Sequence, residues 1–67
     1  MQETWFTSVT ESADLIATRF WKAEQKLIDI AFESQVSTIK ERFPSVSFWD
    51  IRGGLKEVLM NEYGIEV

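Results

Sequence analysis

"VTESADLIATRFWKAEQKLIDIAFESQVSTIKERF", residues 9–43, runs for about half the chain without a glycine or a proline. Whether it forms one helix or two decides the fold. Ala13, Leu15, Ala17, Lys22, Ala23, Glu24, Lys26, Leu27 and Ala31 all favour helix. At about 100° of turn per residue, Val9, Ala13, Ile16, Phe20, Ala23, Leu27 and Ala31 share one face. Arg19, Lys22, Lys26, Asp29, Glu33, Ser37 and Lys40 form a polar stripe away from it. Beyond residue 27 the apolar face moves: Ile28, Phe32, Val36, Ile39 and Phe43 centre roughly 100° further round. Heptad drift on a straight helix is only about 20° per repeat, so supercoiling does not account for the jump.

Two readings follow. One long helix presents two faces to two neighbours, or the chain breaks near 34–38, where serines and β-branched residues lower helix propensity. The lack of glycine or proline there favours the single helix, over about 9–43. Ser8-Val9-Thr10-Glu11 has the spacing of a capping box at its start. Pro44 ends it, because the residue before a proline is pushed out of the helical region. Residues 1–7 then make a short lead-in carrying Trp5 and Phe6, with Phe6 placed to staple against the first turn.

Working outward, "RFPSVSFWDIRGGLKEVL", residues 42–59, reads as a corner. Ser47 and Asp50 repeat the serine-to-acid spacing of a helix start. Phe48, Ile51, Leu55, Val58, Leu59 and Tyr63 recur at helical spacing, and Gly64 followed by Ile65 reads as a stop. A second helix over about 48–63 is expected. Gly53 and Gly54 each cost it about 1 kcal/mol relative to alanine, which leaves open a start at Leu55 with residues 47–52 as a separate turn. Residues 46–51 include β-formers but do not alternate and have no second strand to pair with. The fold class is all-α: a long helix and a shorter one in a helical hairpin, with a three-helix bundle broken near 34–38 as the alternative.

The length of the first helix carries a consequence. Residues 9–43 as one helix would span about 52 Å, whereas a compact chain of this size has a radius of gyration of about 11 Å. The shorter helix can cover only the displaced face. The stripe Val9, Ala13, Ile16, Phe20, Ala23 and Leu27 is left bare, and a bare apolar stripe of that length needs a partner. The simplest is a second copy in a two-fold dimer. The candidate interface is therefore Trp5, Phe6, Val9, Ala13, Ile16, Phe20, Trp21, Ala23, Leu27 and Trp49.

Sixty-seven residues allow one domain, over 1–67. Chains this short bury only about 60% of their unfolded surface and need reinforcement. Cysteine and histidine are both absent, so no disulfide framework, thiolate metal site or histidine base exists. At 45% hydrophobic with nine aromatics, the chain is too apolar to be a disordered tail. No apolar run approaches the roughly 20 residues of a membrane helix, and the N-terminus lacks the basic start and apolar core of a signal peptide. The expected location is the cytoplasm.

No catalytic constellation emerges. Residues 51–56, IRGGLK, have too few glycines and no following Ser or Thr for a phosphate loop. Asp29 and Glu33 are neighbours on a helix face, but a di-metal helical site also wants histidines. Phe48 and Trp49 beside Arg52 could stack bases, yet no basic groove surrounds them. Net charge is −4, and residues 39–63 forced into a helix-turn-helix would offer Asp50, Arg52, Lys56, Glu57 and Glu62, which is not a phosphate-contacting set. A DNA-binding regulator is the runner-up. The leading expectation is a non-enzymatic protein-interaction module, a regulator or inhibitor without cofactor or metal. It would bind another protein and self-associate through its long helix.

Overall fold

The computed structural model describes residues 4–67; residues 1–3 of the expected lead-in lie outside the described residues. Three α-helices follow in order: α1 (Trp5–Arg19), α2 (Gln25–Arg42) and α3 (Phe48–Val58), the last continuing into a wider π-helical turn (Leu59–Tyr63). Among the described residues there is no strand. Each helix packs against the other two. The radius of gyration is 11.2 Å, close to the compact value the chain length implies.

The long helix over 9–43 does not form, and the break does not fall at 34–38, which lies inside α2. The chain leaves helix after Arg19. Phe20 closes α1 by donating its N–H to the Ile16 carbonyl at 2.8 Å, and the Ala23 N–H returns to the Phe20 carbonyl at 3.0 Å. Within that turn Lys22 has φ 62°, a left-handed conformation that costs an L-residue about 1–2 kcal/mol. Glu24 then caps α2 by backbone alone, without a side-chain bond.

Magnitudes explain why the chain breaks where no residue demands it. The break forfeits one turn of hydrogen bonds, each worth about 1 kcal/mol net, and adds the Lys22 strain. In return, Val9, Ala13 and Ile16 fold inward and join Ile51, Leu55 and Leu59, all six without solvent exposure. Burying each large aliphatic side chain contributes about 1.5–3 kcal/mol. Packing wins. The break divides the first face: Val9, Ala13 and Ile16 point inward on α1, whereas Ala31 joins Ile28, Phe32, Val36 and Ile39 on the inward face of α2 and Leu27 stays exposed.

The start of α1 also differs from the capping-box expectation. Thr4 is the N-cap, its hydroxyl accepting from the Thr7 N–H at 3.2 Å. Ser8 is one turn inside, buried. The helix begins early because Trp5 packs on the core cluster from its first turn, with Phe6 edge-on to it at 5.8 Å.

The corner after α2 follows expectation. Phe43 closes α2 on the Ile39 carbonyl, and Lys40 clamps the turn by donating Nζ to the Pro44 and Val46 carbonyls at 2.7 and 2.6 Å. Ser47 caps α3, accepting from the Trp49 and Asp50 amides. The helix runs through Gly53 and Gly54 instead of restarting at Leu55. Gly64, at φ 67°, ends the π turn. The Ile65 N–H bonds the Leu59 carbonyl at 3.0 Å, folding Ile65 and Val67 back onto the core.

Candidate functional site

The structure divides the ten expected interface residues. Val9, Ala13 and Ile16 are fully buried in the chain's own core, so a second chain cannot reach them in this fold. Trp5, Phe20 and Ala23 are partly buried against the same core. The α1 part of the bare stripe that called for a dimer is therefore covered by α2 and α3 of the same chain, and of the stripe only Leu27 is left exposed. Phe6, Trp21, Leu27 and Trp49 remain exposed. They do not form one stripe. Phe6 lies in the first turn of α1, Trp21 in the α1–α2 turn, Leu27 at the start of α2 and Trp49 at the start of α3.

Trp49 stands out. It is 81% exposed, held by a helix N-terminus whose position Ser47 and the Lys40 clamp fix. Phe48, beside it, is also exposed and has the Lys40 ammonium 5.4 Å from its ring centroid. Next to Trp49 a groove of about 460 Å³ opens between α2 and α3. Phe32, Arg52, Gly53 and Lys56 contribute to its lining. One wall is formed by Arg52, which donates to both carboxylate oxygens of Glu33 at 2.5 and 2.6 Å and lies 5.5 Å over the Phe32 ring. Gly53 leaves the floor open, with nothing within 4 Å of where its Cβ would stand.

The Asp29–Glu33 pair is divided, Glu33 engaged by Arg52 and Asp29 by the Gln25 amide at 2.9 Å. Residues 51–56 lie within helical backbone rather than a loop, so their amides are not free to cradle a phosphate. Among the described residues no group of three or more acidic, histidine or cysteine side chains could hold a metal ion. No helix among them is long and apolar enough to cross a membrane. On α3 the exposed or half-exposed charges Asp50, Arg52, Lys56 and Glu57 sum to zero.

Sequence reasoning missed Ile30 and Met60, and left Phe48 and Lys56 out of the candidate interface, Phe48 having been placed on the apolar spacing of the second helix; Ile30, Phe48 and Met60 are all exposed large apolar residues, and Lys56 lines the groove. Ile30 carried a signal: with Leu27 it stands three residues apart on α2, off the displaced apolar face. Searches against protein-family models, curated proteins and solved structures return no match to this chain.

Proposed function

We propose that the chain is a non-enzymatic protein-interaction module, a regulator or inhibitor that acts by binding another protein through the Trp49 face of α3. The observation that carries this reading is Trp49 itself, 81% exposed on a helix whose fold makes no use of it. An indole left in water contributes little to stability, whereas tryptophan is enriched among the few residues that dominate binding energy. Phe48 and the adjoining groove supply the apolar surround, and Lys56 and the Arg52–Glu33 pair supply a polar rim, the anatomy of a modest interface.

The test has two arms. Trp49→Ala should leave thermal unfolding unchanged within about 0.5 kcal/mol, as for surface substitutions away from special features, and should abolish binding to the partner in the protein's own host. A photo-reactive residue at position 49 should give one defined adduct that is absent when the same group replaces the exposed Thr18. Equal adducts at both positions, or full binding by Trp49→Ala, would sink the reading.

A further inference from the structure

Away from Trp49, two features of opposite character remain. The first is the turn between α1 and α2. Its two central residues are Trp21 and Lys22, closed by the Ala23-to-Phe20 hydrogen bond. Lys22 sits in the left-handed region, where glycine is cheaper, and Trp21 is 61% exposed. Neither choice serves the core, and strain at an exposed position is a pointer to use. Arg19 and Lys26 flank the tip, also exposed. Residues 19–26 hold three cations and one acid, a net +2, so the rest of a chain of −4 carries −6. Among the described residues none of Arg19, Lys22 and Lys26 has an ion-pair partner.

The second is a groove of about 550 Å³ between α1 and the end of α3. Phe6, Gly54, Val58 and Tyr63 give it apolar walls, Glu57 and Glu62 supply charge, and no lysine or arginine lines it. Asp14 adds a third acid, accepting from the Tyr63 hydroxyl at 3.2 Å. Glu57 and Glu62 are unpaired among the described residues. The Tyr63 phenol registers the local field: partial burial, the hydrogen bond to Asp14 and the charges of Asp14 and Glu62 push its pKa up.

We propose that the Trp21–Lys22 turn of one copy of this chain docks into the Phe6–Tyr63 groove of a second copy, the indole against the apolar walls and Lys22 beside Glu57 and Glu62. The tip and groove match in both respects that matter, an exposed aromatic for an apolar hollow and unpaired cations for unpaired acids. In its own chain Trp21 does not line this groove and stays exposed, so the contact is made in trans. Nucleic acid and anionic membrane fit the tip less well, since only three cations oppose the −6 on the remainder. The contact joins two different surfaces and therefore either exchanges reciprocally in a closed dimer or runs head to tail. It is small, centred on one indole, and is concentration- and salt-dependent. This self-association uses neither Trp49 nor its groove, and stands or falls independently of the function proposed above.

Sedimentation equilibrium over a dilution series decides it. The wild-type chain should associate at low ionic strength and dissociate as salt rises. Trp21→Ala, or Glu57→Lys with Glu62→Lys, should weaken association about thirtyfold while circular dichroism shows an intact fold; Trp49→Ala should not weaken it. Mixing the Trp21→Ala chain with the Glu57→Lys/Glu62→Lys chain should restore a 1:1 dimer, since one retains a groove and the other a tip. A wild-type monomer at millimolar concentration overturns the proposal. So does association as tight in Trp21→Ala as in the wild type, or a mixture that associates no more tightly than either variant alone. Binding of an anionic vesicle or a single-stranded oligonucleotide through Trp21, by a chain that remains monomeric, overturns it as well.

Discussion

The Trp5 ring lies over Gly54, its Cζ3 only 3.3 Å from where a Cβ on that glycine would stand, with the Val9 Cγ1 3.8 Å away on the same side. Gly53, one residue earlier on the same helix, has nothing within 4 Å. The two glycines look equivalent in the sequence and are not. Gly53→Ala should stabilise the chain by about 0.5–1 kcal/mol, the helix-propensity difference. At Gly54 the same gain is opposed by moving a half-buried indole, so Gly54→Ala should come out neutral or destabilising. Chemical denaturation of the two variants side by side measures the contrast.

Leu55 and Trp49 make a second contrast on α3. Leu55 is fully buried among the residues of all three helices, and Leu55→Ala should cost about 2–5 kcal/mol through lost burial and a cavity. A chain of this size has about 5 kcal/mol or less from its core to lose, so much of the Leu55→Ala protein should be unfolded at 25 °C. Circular dichroism checks this directly.

Arg52 and Glu33 join α3 to α2 through a two-oxygen contact, but their side chains are 39% and 56% exposed. Solvent screening discounts such a pair heavily, and a double-mutant cycle should give a coupling of about 0.5 kcal/mol, reduced further by salt. The single Arg52→Ala variant should lose somewhat more than the coupling, because the guanidinium also covers Phe32.

Tyr63 provides a pH signature. Its folded-state pKa is raised above 10.0, first by burial and then by Asp14 and Glu62. The folded state thus holds the phenolic proton more tightly than the unfolded state. Its contribution is fully present below pH 10 and is lost as pH rises through the folded pKa. Stability should therefore decline in the alkaline range, and Tyr63→Phe should remove that part of the decline. Because the chain has one tyrosine, phenolate absorbance in the ultraviolet follows Tyr63 alone and should titrate later in the folded protein than in denaturant.

By itself the sequence determined the helical class, the corner at Pro44, the Ser47 cap and the Gly64 stop, because each rests on a local restriction of backbone angles or an amide seeking a partner. It also assigned Val9, Ala13 and Ile16 to one apolar face and Ile28, Phe32, Val36 and Ile39 to another, which periodicity alone reveals. The jump between those faces was the mark of the break. Its position was hidden, since residues 20–24 hold no breaker and include helix formers such as Lys22, Ala23 and Glu24, while 34–38 have the weaker propensity and yet stay helical. Only tertiary structure decided that point. Folding α1 back buries a stripe that no local preference can see, and the gain from covering it against Ile51, Leu55 and Leu59 exceeds a turn of hydrogen bonds and a strained lysine. The same decision separated core from surface, sending Val9, Ala13 and Ile16 inward and leaving Trp21 and Trp49 outside.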